Sequence, residues 1–435
     1  MAEQNKGLLS WYLDSNLVMR ILVALGAGTV AGVFLAAGSP AMVASYVGYT
    51  KFFGDIFVRL LQMIIVPTIF FSLIVGAGSL DPARLGRVGA KTIAYYLVGM
   101  LIAITIGLTL ASIFEPGKGM ELGDVAKAAA VSRKAPPMSE VLLAIVPTNP
   151  FAALNAGAVL PVIFFAMCFG IALSMIRHSP KQELAQDGDK LYGVLSAAAE
   201  TMYKIVGGVM QYAPIGVFVL MSNVFAQNGP KIMGPIMTVA LLIYVCFALH
   251  FVIGFGGPLT LFGMSFVKFC KGSQEAIITA FVTRYSNATL PITMRVAEDH
   301  LGISRAISAF TLPLGATINM AGTAIYLSVT AVFIGFAVNQ PLGFEQKLQV
   351  MLTATLGAIG AAGVPGAGAI MLLLVLETVG LKVEAGTPIA AAYAIIFAID
   401  VLLDMGRTCL NVTGDIVGAA IVSKTEKDMD LSKWA

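Results

Sequence analysis

Asp400-Val-Leu-Leu-Asp404-Met-Gly-Arg407-Thr408-Cys-Leu-Asn411-Val-Thr-Gly-Asp415 decides how the rest of the chain is read. It lies inside an apolar run from Ile389 to Val422, long enough to cross a bilayer as one helix. At about 100° per residue, Asp400, Asp404, Arg407, Thr408, Asn411 and Asp415 fall within an arc of roughly 100°. Leu403, Met405, Leu410, Val412 and Ile416 take the other faces. Each ionisable group at membrane depth costs about 2.5–3.5 kcal/mol on the insertion scale, so three Asp and one Arg cost about 10 kcal/mol unless relieved. Two arrangements relieve it: the groups pair with one another as a structural network, or they line a path for substrate and ions. A stripe running the length of a span, in place of one buried pair, favours the path.

The bulk composition agrees with a membrane setting. Of 435 residues 58% are hydrophobic and 12% charged, and the mean hydropathy is +0.87. Soluble domains carry about 25% charged residues. The expected fold class is an all-α polytopic membrane protein, embedded in a lipid bilayer. A net charge of +3 and the lack of a basic face with interleaved aromatics exclude nucleic acid as a partner. Cys168, Cys246, Cys270 and Cys409 stand in apolar context without a C-x-x-C pair and read as small buried hydrophobes. His178, His250 and His300 are far apart and make no metal spacing. The first apolar run, Leu17 to Ala37, is long enough to stay as a span instead of being cleaved as a leader.

Apolar segments cover 12–37, 43–78, 88–114, 137–177 (broken), 188–226 and 231–262. The pattern then changes. Regions 265–295 and 343–383 are each interrupted by a turn-forming motif, Thr283-Arg-Tyr-Ser-Asn287-Ala-Thr-Leu-Pro291 and Gly360-Ala-Ala-Gly363-Val-Pro365-Gly366-Ala-Gly368. Each is followed by a long helix, over 301–337 and 386–423. Non-helical backbone at membrane depth survives where protein or a wet cavity satisfies it, and a matched pair of interrupted segments is the pattern of re-entrant hairpins at a transport site. The helix over 301–337 has a notch of its own, Gly315-Ala-Thr317-Ile-Asn319-Met320-Ala321-Gly322-Thr323, which predicts local unwinding and free carbonyl oxygens of the kind sodium prefers.

Charges between spans give an orientation. Arg84, Arg87 and Lys91, Arg177 and Lys181, Lys268 and Lys271, Arg295 and Arg305, and Lys424 and Lys427 all fall on one side if both termini are cytoplasmic, as the positive-inside rule asks. Segment 115–136 is the exception; its Lys118, Lys127, Arg133 and Lys134 are offset by Glu115, Glu121 and Asp124. Trp11, Tyr12 and Trp434 suit interfacial anchoring in a prokaryotic cell (inner) membrane.

These motifs resemble the dicarboxylate/amino acid:cation symporter family, and most its prokaryotic aspartate/glutamate transporters. The resemblance covers nearly the whole chain and is densest from Thr279 to Lys424, with Asp404-Met-Gly-Arg407-Thr408, Asn411-Val-Thr-Gly-Asp415 and Gly363-Val-Pro-Gly-Ala-Gly368 the most specific parts. It implies eight transmembrane helices plus two re-entrant hairpins, built as inverted repeats, in a homotrimer that works as an elevator. Residues 1–87 and 116–227 would form the scaffold, 88–115 and 228–425 the transport domain, and 426–435 a cytoplasmic tail.

The resemblance also implies a site. Arg407 would grip the substrate's side-chain carboxylate, which its planar fork suits, assisted by Thr323 and the backbone of Gly368. Asp404 would receive the ammonium group, with Thr408 and the Val364 carbonyl beside it and Arg284 near. Asn411 and the Ser286 backbone would hold the α-carboxylate. One cation and two anion grips describe aspartate or glutamate. A plain dicarboxylate would leave Asp404 without its ammonium, and a neutral amino acid would leave Arg407 unpaired. One sodium site would use Asp415 with carbonyls of Gly315, Asn319 and Asn411. A second would use backbone around Thr317 and from Ala358 to Ala361. A third is expected to be lost: its aspartate is Ala321, and its hydroxyl positions after Tyr95-Tyr96 are Gly99 and Met100. Fewer sodium ions, or a proton, would then accompany the substrate, with no organic cofactor.

The family's serine triplet is Tyr285-Ser286-Asn287 here. Tyr285 either packs on a neighbouring helix or shifts preference, for example toward an amino-sulfonate such as taurine, which would leave the Asn411 clamp idle. Glu377 reads either as a cavity-facing proton site or as a snorkelling or paired structural acid, and Asp400 as support for Asp404.

Other classes fare worse. No G-x-x-x-x-G-K-[ST] is present for a nucleotide-driven pump. As an enzyme's paired acids, Asp404 and Asp415 stand eleven residues apart on one helix, roughly 16 Å. That defeats a shared proton. A passive anion channel has no need of an Arg-Asp grip.

Overall fold

Helices account for nearly all of the chain that the computed structural model describes, residues 17–79, 85–120, 143, 145–360, 366–384 and 386–434. Apolar segments that meet no water must satisfy their backbone groups internally, and the helix does so. In chain order come α1 (Leu17–Ala36), α2 (Pro40–Gly78), a π-helical turn (Leu85–Gly89) leading into α3 (Ala90–Phe114), α4 (Pro150–Ala156), α5 (Val159–Arg177) and α6 (Gln182–Asn228). Then follow α7 (Met233–Leu249), a second π-helical turn (His250–Gly256) and α8 (Gly257–Leu261). The remainder holds α9 (Phe266–Thr283), α10 (Ser286–Asp299), α11 (Arg305–Ile318), α12 (Ala321–Ala337), α13 (Phe344–Gly360), α14 (Ala367–Thr378) and α15 (Pro388–Glu426).

Several helices start where the sequence signals a start. Ser39 accepts from the Met42 N–H ahead of Pro40, Asn149 from Phe151 and Ala152 ahead of Pro150, and Thr387 from Ala390 ahead of Pro388. Each oxygen takes an N–H that the first helical turn leaves over, and proline at the first position has none to lose.

Packing divides the helices into two groups. α1 and α2 lie along α6, with α5 against α2 and α6. α9, α11 and α12 surround α15, α7 touches both α12 and α15, and α3 lies along α12. Between the groups α6 meets α15, and the Phe57 ring of α2 meets Phe397 of α15 edge-on at 4.9 Å. Within 305–337, 94% of the most apolar window is enclosed by protein, against 22% in α1. α12 therefore forms the centre of the bundle, and α1 turns most of its apolar surface outward. Among the described residues six helical stretches are long and apolar enough to cross a membrane, and Val66–Gly78 and Pro161–Arg177 add shorter apolar lengths. The chain is a multi-pass α-helical membrane protein.

Both interrupted regions are pairs of packed helices. α9 and α10 turn at Arg284 and Tyr285, where Arg284 takes the left-handed conformation at φ +56°. α13 and α14 pack on each other and flank residues 361–365, so the expectations for Ala361 and Val364 lie outside the described residues, as do those for Trp11 and Tyr12. The helix expected over 301–337 is two helices. Asn319 and Met320 leave helical geometry between α11 and α12, as the Gly-Asn notch predicts. It also starts late, at Arg305, because 302–304 bind the C-terminal tail: Ile303 bridges Met429, Asp430 donates its N–H to Gly302 O at 2.8 Å, and the Ser304 hydroxyl bonds Asp428.

One expectation is corrected. Cys168 is exposed on α5, so apolar context there marked an outward surface and not burial. Glu377 is exposed at the end of α14.

Candidate functional site

α15 delivers the polar stripe to the protein interior. Asp400, Asp404, Arg407, Thr408, Asn411 and Asp415 are each at most 4% exposed. Burial on this scale demands partners, because removing one member of a buried ion pair costs about 3–5 kcal/mol.

The partners form two clusters along the helix. In the first, Arg407 donates from Nε (3.1 Å) and Nη2 (2.6 Å) to Asp404 Oδ1, and from Nη1 (3.3 Å) to Asp400 Oδ1. The Tyr326 ring of α12 lies beneath the guanidinium, 4.6 Å from Cζ to the centroid. Thr408 donates its hydroxyl to Asp404 Oδ1 at 3.3 Å. The other carboxylate oxygen, Oδ2, accepts the Gly366 N–H at 3.3 Å and faces Arg284 Nη1 at 3.8 Å. Two acids and two guanidinium groups thus share one enclosure with no net charge. Gly368 of α14 has no room for a side chain, since a Cβ there would meet Arg407 Nη1 at 2.0 Å.

The second cluster lies about 12 Å further along the helix, eight residues at 1.5 Å each. Asn319, in the break between α11 and α12, donates from Nδ2 to Asp415 Oδ1 at 2.8 Å and to Asn411 O at 3.4 Å. Gly315 sits directly over this carboxylate; a Cβ there would stand 2.5 Å from Asp415 Oδ1. Tyr96 of α3 closes the cluster, its hydroxyl donating to Thr311 O at 3.0 Å. The four residues expected at the first sodium site, Gly315, Asn319, Asn411 and Asp415, thus lie together, with Asn319 Nδ2 bridging the Asp415 carboxylate and the Asn411 carbonyl.

Asn411 lies between the two clusters along α15. Its carbonyl faces Asn319, while its side-chain Oδ1 accepts the Gly322 N–H at 2.8 Å and its Nδ2 reaches Thr323 Oγ1 at 3.3 Å and Met320 Sδ at 3.1 Å. Ser286 is buried at the first turn of α10, whose N–H groups have no partner within the helix and form a ready anion seat.

For the second expected sodium site, Thr317 and Ala358 lie on the touching helices α11 and α13; the Thr317 hydroxyl is engaged by Leu314 O at 2.8 Å. At the third, Met100 and Ala321 are buried and Gly99 has open space where a side chain would stand, so none of the three offers a side-chain oxygen. Tyr285 is half-buried.

Some contacts were not read from the sequence. Asp400 touches Arg407 directly instead of supporting Asp404, a contact that their spacing of seven residues, two helical turns, could have signalled. Tyr326 carried no signal, since it is one of three aromatics in a mostly apolar helix. The reading in which the charges pair among themselves is realised at Arg407.

The sodium:dicarboxylate symporter family matches the chain over residues 17–425. The chain is similar to the proton/glutamate-aspartate symporter of Escherichia coli, 32% identical over 428 residues covering 96% of this chain and 94% of that one. It is equally similar to the proton/sodium-glutamate symport protein of Geobacillus stearothermophilus, 32% identical with 94% of each chain covered. A C4-dicarboxylate transport protein of Rhodopseudomonas palustris is 31% identical, with 98% of this chain and 90% of that one covered.

Proposed function

The chain belongs to the sodium:dicarboxylate symporter family, and on that premise we propose that it takes up an acidic α-amino acid, aspartate or glutamate, together with cations. One observation carries this reading: Asp404 and Arg407, buried side by side, offer one anionic and one cationic partner, with the buried Asn411 about one helical turn beyond Arg407 on α15. An acidic amino acid brings a carboxylate for Arg407, an ammonium for Asp404 and an α-carboxylate for Asn411 and the Ser286 backbone. Thr408, Gly368 and Arg284 touch the same pair, and Thr323 and Val364 would complete the pocket.

Coupling belongs to the second cluster. Sodium would be held as cargo by Asp415 with carbonyls of Gly315, Asn319 and Asn411, and a second ion by backbone near Thr317, Ala358 and Ala361. The third family site, at Ala321, Gly99 and Met100, is lost. Each charge moved across about 100 mV is worth about 2.3 kcal/mol, so a lost ion lowers the attainable gradient unless a proton replaces it.

In this reading α1, α2, α5 and α6 are the fixed scaffold, and α3 with α7 to α15 the moving body. The α9–α10 and α13–α14 pairs are re-entrant hairpins among eight spans, the unit is a homotrimer, and both termini lie in the cytoplasm of a cell with this protein in its plasma membrane.

The test is uptake of labelled aspartate into proteoliposomes with sodium and pH gradients imposed separately. Concentrative uptake under either gradient supports the proposal, and the effective gradient names the ion. No uptake under both, with folded protein in the vesicles, overturns it.

A further inference from the structure

We propose that Tyr393 is a positioning residue for the substrate pocket: its hydroxyl holds the first turn of α14 against α15, keeps the Gly368 backbone on Arg407, and so limits the length of acidic side chain that the arginine can receive. The inference rests on the acidic amino acid reading above and concerns which member of that class the pocket favours. Tyr393 lies on the same face of α15 as the polar stripe, seven residues or two turns before Asp400. It is 1% exposed, and its hydroxyl donates to Ala369 O at 3.0 Å.

The start of α14, from Gly366 to Ala369, meets α15 at three points. The Gly366 N–H reaches Asp404 Oδ2 at 3.3 Å, Gly368 lies against the Arg407 guanidinium, and Ala369 O accepts from Tyr393. In the proposed reading Asp404 and Arg407 both take new partners when substrate arrives, so neither can hold α14 in place throughout. Tyr393 keeps its bond, because no group of the substrate is directed to it. The bond is also additional to the helix: Ala369 O serves the N–H four residues on, and its second lone pair takes the tyrosine. The ring that carries the hydroxyl is backed in turn. Phe397, one turn further along α15, stands 6.3 Å from it between centroids, and Phe57 of α2 closes edge-on against Phe397 at 4.9 Å.

Size selection follows from this arrangement. A Cβ on Gly368 would stand 2.0 Å from Arg407 Nη1, so the α14 arm has no slack over the guanidinium. Asp404, Arg407 and Asn411 all project from α15, which fixes the spacing of the groups that would take the ammonium and the two carboxylates. Glutamate is one methylene longer than aspartate, and the extra length has to be accommodated against α14. In a close-fitting pocket one methylene discriminates by about 10- to 200-fold. With the arm held by Tyr393, aspartate is the favoured substrate. Without the hydroxyl the arm yields, and glutamate recovers.

The experiment is calorimetric binding of aspartate and of glutamate to the full-length protein in saturating sodium, for the wild-type chain and for Tyr393→Phe, which keeps the ring and removes only the donor. The wild type is expected to prefer aspartate. Tyr393→Phe is expected to lower the aspartate-to-glutamate affinity ratio about three- to tenfold, the size of one buried hydrogen bond. Para-aminophenylalanine in place of Tyr393 returns a donor to the same position and should restore the ratio. Hydrogen exchange over residues 366–370 of the substrate-free protein should rise in Tyr393→Phe and fall again with the amine. A tyrosine that only fills the core would change both affinities by one factor and leave their ratio where it was. That result, a shift toward aspartate, a wild type without preference, a ratio the amine does not restore, or a Tyr393→Phe chain that no longer folds would each overturn the proposal. Wild-type protein that binds neither amino acid would instead bring down the amino acid reading beneath it.

Discussion

Gly368 lies against Arg407 with no space between them: a Cβ on the glycine would stand 2.0 Å from Nη1 and 2.5 Å from Cζ. The guanidinium therefore has bare backbone on one side and Asp400, Asp404 and the Tyr326 ring on the others. Gly368→Ala is expected to push it off its carboxylates. Overpacking of this kind costs about 1–3 kcal/mol. Charged to the bound state, that is a loss in aspartate affinity on the order of ten- to a hundredfold, read by calorimetry. Unchanged affinity would remove Arg407 from the pocket.

Arg407→Ala leaves Asp400 and Asp404 buried without their shared cation, which should destabilise the fold by about 3–5 kcal/mol and abolish aspartate uptake. Adding Asp404→Asn to that variant should recover part of the stability and none of the uptake, a non-additivity expected of groups in contact. Thermal melts and vesicle uptake on the same preparations separate the two effects.

Asp415→Asn keeps the shape of the second cluster and removes its charge. The sodium concentration needed for half-maximal uptake should rise by an order of magnitude or more, for a change on the order of 1.4 kcal/mol or greater. Preference for aspartate over neutral amino acids, set about 12 Å away, should remain. Loss of selectivity with intact sodium dependence would reverse the assignment of the two clusters.

Gly302 takes φ +63°, and a Cβ there would meet Asp430 O at 2.5 Å. Gly302→Ala should lift residues 427–434 from the α10–α11 connection, at a cost on the order of 1–3 kcal/mol, and hydrogen exchange in that segment reads the release. Acid should act in the same direction. Hydroxyl and N–H bonds from Ser432 hold the Asp430 carboxyl below its usual range. A carboxyl depressed in the fold contributes stability above its unfolded pKa and loses it as pH falls through the folded value. Exchange in the tail should therefore rise below about pH 4.

Much of this architecture is written in local pattern. The stripe on α15 needs only helical periodicity, and the break at Asn319 and Met320 follows from glycine and asparagine in an apolar helix. The turn at Arg284 and Tyr285 follows from the polar interruption between α9 and α10. What the sequence withheld depends on distant partners. The tail reaches Gly302 across more than a hundred residues with no periodic signal, and Cys168 looked enclosed because an apolar neighbourhood in sequence does not distinguish an outer helix face from an inner one. The Arg407 partners show the same limit. Periodicity put Asp400, Asp404 and Arg407 on one face, but which acid holds which nitrogen is settled by side-chain geometry alone.

Asn411 has its peptide oxygen against Asn319 and its carboxamide against Gly322 and Thr323 at the start of α12. On the proposed reading, the two cargoes therefore meet at one residue, and each reports its arrival to the other without any relay through the bundle. A lone ion or a lone amino acid would find this residue set for half a load. Fidelity of stoichiometry, the property that separates a symporter from a leak, would then be decided at a single point on α15, and drift at this position would show first as slippage, with cargo still recognised but no longer counted.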